Sequence, residues 1–158
     1  MNANTTMRDD FRKAMSHFAT GVAVVTAQGE QGAQGATISA LSSVSLDPVL
    51  LLVCLNRKSS TYKAIAESGR FALSILSKNQ EDKAYFFASP ALDKNVETET
   101  LCHENGSLFV KDALVHISCS VQETLTGGSH EIFLGSPDYV KVTGTEPLLY
   151  FKGGFNVF

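Results

Sequence analysis

The chain has 158 residues, 44% of them hydrophobic, and a formal net charge of −3, which suits one domain over residues 1–158 with a sizeable core of its own and no second domain. Its charges are scattered, so no basic surface for nucleic acid or anionic lipid is indicated, and no apolar run approaches the roughly 20 residues of a membrane span. Cys54, Cys102 and Cys119 are odd in number and form no Cys-x-x-Cys pair, which makes a disulfide framework or zinc site improbable and a soluble protein of the reducing cytoplasm the expectation.

In chain order, Phe11, Ala14, Met15 and Phe18 recur at steps of three and four, the spacing of one face of a short helix over residues 9–18, with Asp9 or Asp10 as its cap. Val22 to Ala27 is rich in β-branched residues and apolar on both faces, as a buried strand is. The polar stretch Gln28 to Gly35 is expected to turn the chain. Ala36 to Ser45 mixes small and hydroxyl residues, and Asp47-Pro48 separates it from the apolar strand Val49 to Leu55. Asn56 to Thr61 reads as a loop ending in a helix cap, Tyr62 to Glu67 as the helix and Ser68-Gly69 as its stop.

Arg70 to Leu76 is the next strand, Lys78 to Ala88 is expected to be helical, and Pro90 to Ser107 reads as a polar, mobile excursion. Ala113, Val115, Ile117, Cys119 and Val121 alternate with Leu114, His116, Ser118, Ser120 and Gln122, the period of a half-buried strand. Thr126-Gly127-Gly128-Ser129 makes a hairpin turn, His130 to Val142 a second long strand, and Leu148 to Phe155 an aromatic closing segment. Strands dominate, helices are short, and several connections are too short for parallel crossovers, so a mainly β, mostly antiparallel barrel follows. A doubly wound dinucleotide fold lacks its strand, GxGxxG turn and helix in that order.

Three constellations carry chemistry. Arg57-Lys58-Ser59-Ser60-Thr61 places cations and hydroxyls at a helix start, where free N–H groups and the helix dipole favour a phosphate; equally, Ser59 or Ser60 simply caps the helix. Thr37 to Ser45 offers small residues against which a planar heterocycle can lie, forming one wall of a pocket with the strand that ends in Cys54; its alternative is a strand edge with serines facing water. Gly127-Gly128-Ser129-His130 puts His130 at a strand start after a tight turn, able to donate toward a bound anion or to be merely solvated. His17, His103 and His116 (the last on a strand's polar face) have no partners at a metal-ligand spacing, and no metal site is expected. Hydrolase signatures are missing.

Taken in order, Phe18 to Thr26, Thr37 to Pro48, Cys54 to Thr61, Phe71 to Leu76, Gly128-Ser129-His130 and Pro147 to Gly153 resemble the flavin reductase-like family. These are the split-barrel reductases that serve two-component monooxygenases. The resemblance implies an FMN-binding split β-barrel acting as a homodimer in the cytoplasm. It also implies hydride transfer from NADH or NADPH to FMN or FAD, with reduced flavin supplied to a partner monooxygenase such as an aromatic hydroxylase. Implied flavin contacts are Thr37, Ile38, Ser39, Ala40 and Ser43, then Cys54, Leu55 and Asn56, with Ser60 and Thr61 near the phosphate. His130 and the tail Tyr150, Phe151 and Lys152 are implied near the nicotinamide nucleotide. The family's turn is usually Gly-Asp-His, so Ser129 departs from it, as Lys152 does from a frequent arginine. Two other readings stay open: a flavin-binding module without turnover, and a flavoprotein that reduces a metal complex or a protein.

Overall fold

The computed structural model describes residues 3–89 and 100–156. Along the chain come α1 (Ala3–Met15), β1 (Thr20–Gly21), β2 (Ala23–Gly29), β3 (Gly32–Ile38), β4 (Leu41–Leu46), β5 (Val49–Asn56), α2 (Ser60–Ser68) and β6 (Arg70–Ile75). Then follow α3 (Glu81–Ala88), β7 (Leu101–Glu104), β8 (Ser107–Val110), β9 (Val115–Gly127), β10 (His130–Val142), β11 (Leu149–Phe151) and β12 (Gly154–Asn156). Seven strands make one antiparallel sheet in the order β3-β2-β6-β9-β10-β5-β4, while β1, β11 and β12 form a small second sheet. The large sheet curls until the chain after β3 meets β5, where the Cys54 N–H donates to the Ala40 carbonyl at 3.1 Å.

β2 is buried on both faces, which is why its sequence is apolar without alternation. Ala23, Val25 and Ala27 join Ala64 and Ile65 of α2 in one core, and Val22 and Val24 join Ala84 and Phe87 of α3 in the other. The expected turn over Gln28 to Gly35 contracts to Glu30-Gln31, because Gly29 pairs with Gly32 and Gly32 supplies the left-handed φ of 90° that so tight a reversal needs. Gly35 is then a strand residue on which α3 sits: a Cβ there would meet the Phe87 ring at 2.8 Å.

α2 starts and stops as its sequence dictates. Ser59 is the cap, its Oγ accepting from the Tyr62 N–H at 3.1 Å, and Gly69 closes the helix in the left-handed region at φ 67°. Two other helices differ from expectation. α1 begins before Asp9, so Asp9 and Asp10 lie inside it and cap nothing, and it ends at Met15; the Ser16, His17 and Phe18 N–H groups bond back onto its last carbonyls. Its face of Phe11, Met15 and Phe18 is exposed. α3 starts only at Glu81, because Gln80 spends its side chain outside the helix, accepting from the Ser77 N–H and donating to the Lys111 carbonyl.

The polar excursion divides in two. Residues 90–99 lie outside the described residues, whereas Leu101 to Val110 forms an ordered hairpin docked on the sheet. Val110 N–H donates to the buried Ser74 Oγ at 3.0 Å, and Thr26 Oγ1 donates to the Leu108 carbonyl. His116 corrects the sequence reading most sharply. Its neighbour strand carries the hairpin above it, so it is buried, stacked on Phe109 at 4.5 Å. Its Nε2 donates to the Val110 carbonyl and its Nδ1 faces Glu104 Oε2, each at 2.9 Å. Tyr139 and Lys141 donate to the same carboxylate, and Lys141 and His116 together hold the Glu104 carboxyl down to about 2.

Candidate functional site

Period two along β5 sends Leu51, Val53 and Leu55 into the core and leaves Leu52, Cys54 and Asn56 outward. His130 pairs with Asn56 across the ladder, and Ile132 with Cys54. A cleft of about 290 Å³ opens here, walled by Ala36 to Ala40, Cys54 to Asn56, Ser59 and His130. Eight of the residues singled out in the sequence therefore meet: Thr37, Ile38, Ser39, Ala40, Cys54, Leu55, Asn56 and His130.

The backbone at Ser39 and Ala40 is the cleft's chemically distinctive part. Their carbonyls accept from the Leu41 and Cys54 N–H groups at 3.0 and 3.1 Å. Their own N–H groups donate no hydrogen bond among the described residues, and both positions are exposed. Small side chains thus leave two backbone donors open to a ligand's polar edge. Burial pushes the Cys54 thiol up, so it stays protonated near neutrality and offers no thiolate nucleophile.

The loop entering α2 is sewn to the β9–β10 turn by Arg57 N–H donating to the Ser129 carbonyl at 3.1 Å. Asn56 Oδ1 accepts from the Lys58 N–H at 2.9 Å. Ser129 Oγ lies 3.0 Å from His130 Nδ1, so the residue that departs from the family's usual turn still orients the imidazole. Ser59 is the hydroxyl that reaches the cleft. Ser60 is exposed at the first helical position and outside the cleft lining, and Thr61, 1% exposed, is packed into the interior.

Two further clefts share this wall. One of about 480 Å³ is lined by Thr20, Ser39 to Ser42, Leu52 and Tyr150 together with Arg12, Met15, Ser16 and Phe18. The other, about 320 Å³, lies between Thr37 to Ser39, Tyr85 and Ala88 of α3, and Tyr150, Gly153 and Phe155. Ser39 lines all three, so they form one groove around the end of β3. Within it Thr20 Oγ1 is buried without a hydrogen-bond partner among the described residues, a vacancy of pairing that a polar ligand edge would fill.

Of Tyr150, Phe151 and Lys152, Tyr150 lines the groove, and further along the tail Gly153 and Phe155 do too. Phe151 stands edge-on to His17, and Lys152, at φ 49°, folds its ammonium over the Phe151 ring at 5.4 Å. Ser43 is exposed on β4 away from the three clefts. Residues missed from the sequence are Thr20, Tyr85, Phe155 and Glu131. Glu131 is 8% exposed; it accepts from Thr126 Oγ1 at 3.3 Å and lies 3.6 Å from Arg57 Nε. Its signal was legible: an acid at an inward position of a strand, between His130 and Phe133.

Residues 15–158 match the family described as flavin reductase like domain. Over 149 residues the chain is 36% identical to the reductase component of 4-nitrophenol 4-monooxygenase/4-nitrocatechol 2-monooxygenase of Rhodococcus opacus, covering 94% of this chain and 80% of that one. Its structure is similar to flavin reductase PheA2 in its native state, at 35% identity and a TM-score of 0.86, over 100% of this chain and 99% of that chain. It is similar too to the NADH:FAD oxidoreductase SgcE6 of Streptomyces globisporus C-1027 in complex with NAD and FAD fragments. There identity is 31% and the TM-score 0.86, over 96% of this chain and 92% of that chain.

Proposed function

The chain belongs to the flavin reductase-like domain family and is a flavin reductase with the split-barrel fold; we propose that it takes hydride from NADH or NADPH, reduces FMN or FAD, and releases the reduced flavin to a flavin-dependent monooxygenase. The observation that carries this reading is the groove around Ser39 and Ala40. It combines small side chains, two open backbone N–H donors and the unpartnered Thr20 hydroxyl. That is the surface a flat, polar-edged ring system needs.

When bound, the flavin supplies the hydride-accepting centre and the nicotinamide the donor. The chain's own work is alignment. Thr37 to Ala40 and Cys54 to Asn56 would hold the ring system on two sides, and the Ser39 and Ala40 N–H groups would stabilise negative charge at its edge. Ser59 and Ser60 at the start of α2, with Thr61 packed behind, hold the phosphate beside Arg57 and Lys58, favoured by the helix dipole. His130, oriented by Ser129, and Tyr150 would hold the nicotinamide nucleotide. The groove asks no side chain to act as nucleophile.

A homodimer fits the exposed surface. Leu46 is 88% exposed, Phe18 66% and Phe11 65%, with Val44, Val49 and Met15 also uncovered. Apolar side chains in such number ask for cover, and Met15 and Phe18 border the groove itself. A cytoplasmic setting suits three free cysteines, Cys54, Cys102 and Cys119. Among the described residues no helix is long and apolar enough to cross a membrane.

The test is loss of nicotinamide absorbance when the purified protein meets NADH or NADPH and excess FMN or FAD in air. Oxidation that depends on added flavin is expected. Demonstrable flavin binding with no oxidation by either nicotinamide would instead mark a binding module without turnover.

A further inference from the structure

Among the described residues Glu131 is the one buried carboxylate, and its partners are loose. Arg57 Nε lies 3.6 Å from its Oε2, whereas the other described ion pairs close at 2.5 to 3.0 Å. Its carboxylate accepts one hydrogen bond among the described residues, from Thr126 Oγ1 to the same oxygen at 3.3 Å. Glu104, only half-buried, accepts from three donors. A buried charge is ordinarily paired closely, because desolvation costs more than a loose contact returns. Glu131 is thus a liability to the fold, and its charge needs another reason.

Strand register shows where that charge acts. Glu131 lies across from Leu55 and Thr126, on the core side of β10, while His130 faces the cleft beside Asn56. It lines none of the three clefts, so it meets a ligand only through Arg57. The main chain of Arg57 is fixed, its N–H donating to the Ser129 carbonyl at 3.1 Å. Its side chain is half-exposed and makes no hydrogen bond among the described residues. The guanidinium can therefore be drawn from Glu131 toward an anion at the start of α2, where Ser59 reaches the cleft, without breaking a hydrogen bond.

We propose that Glu131 is a positioning residue that sets flavin affinity: a buried counter-charge that holds Arg57 back, so that the flavin phosphate must share the guanidinium with it. This rests on the flavin reductase reading above. Two anions compete for one cation in partly buried ground, where removing one of the charges should raise phosphate affinity about tenfold. Modest retention suits a protein that hands its reduced flavin on, and an affinity set in this way is expressed mainly in the dissociation rate.

Calorimetric titration of the parent, Glu131→Gln, Arg57→Gln and the double variant with FMN and riboflavin tests this. Glu131→Gln should bind FMN about tenfold more tightly, with FMN dissociation slowed to match, and bind riboflavin as the parent does. Its urea midpoint should not fall, because the lost charge was poorly paired. Glu131→Met, which fills the same place with apolar volume, should behave alike and keeps the test open if the amide upsets folding. In the Arg57→Gln background the Glu131→Gln change should bring no further gain. Unchanged or weaker FMN binding, equal shifts for FMN and riboflavin, or a gain that survives loss of Arg57 overturns the role. Failure of the broader reading looks different: a parent that binds no flavin refutes that reading, whereas a parent that binds FMN leaves it intact whatever Glu131 does.

Discussion

Two histidines on strands of the same sheet have opposite surroundings. His116 is enclosed under the β7–β8 hairpin, stacked on Phe109, with an acceptor at each ring nitrogen. His130 stands exposed at the groove, with Ser129 Oγ 3.0 Å from its Nδ1. Around His116 the polar atoms are paired: Glu104 alone accepts from His116, Tyr139 and Lys141. Around the groove the Ser39 and Ala40 N–H groups are left open and Thr20 Oγ1 is buried without a hydrogen-bond partner among the described residues. A saturated polar cluster holds a fold together, while an unsaturated one waits for a ligand.

The largest effect that would sharpen this contrast comes from the enclosed side. His116→Ala removes a buried ring and strands its partners, and should cost about 2–4 kcal/mol, read as a lower urea midpoint with unchanged slope. Flavin affinity of the folded fraction should stay as in the parent. His130→Ala should do the reverse: unfolding unchanged, and the Michaelis constant for the nicotinamide raised or hydride transfer slowed about tenfold, near 1.4 kcal/mol. If both substitutions moved the same observable, the contrast would collapse.

Ser59→Ala crosses the two regions, since Ser59 caps α2 and faces the cleft. Loss of the cap should cost about 1 kcal/mol. FMN should also bind several-fold more weakly while riboflavin, which lacks the phosphate, is unaffected; equal losses for both would leave Ser59 a cap alone. The smallest effect is acid dependence. The Glu104 carboxyl falls from 4.5 to about 2 in the fold, so its contribution is present above its unfolded value and lost as pH drops from about 4.5 toward 2. Glu104→Gln should flatten stability measured across that range, and an unaltered acid limb would show that other carboxylates govern it.

Much of the fold was readable residue by residue. The unbroken apolar run of β2, the full extent of β10 and the Ser59-to-Gly69 frame of α2 follow from local rules, as does the turn at Gly128, whereas β9 was legible as a strand but buries its expected polar face at His116 and Ser118. The groove's walls at Thr37 to Ala40 and Cys54 to Asn56 were legible as a small-residue segment beside an apolar strand. Thr20, Tyr85 and Phe155 carried no such signal, because each gains its role only where distant segments cross. Thr61 was misplaced for a similar reason: one step along a helix start turns a side chain from solvent to core.

By itself, then, the amino-acid order determined which segments are strands, where helices are capped and that the architecture is antiparallel, since periodicity and capping act over a few neighbouring residues. Only the tertiary structure decided which polar side chains are consumed and which are offered. Burial of His116 depends on a hairpin folding over it, and exposure of His130 on Asn56 lying across the ladder. Hydrogen-bond saturation is a property of neighbours brought together from far along the chain, and no local pattern encodes it.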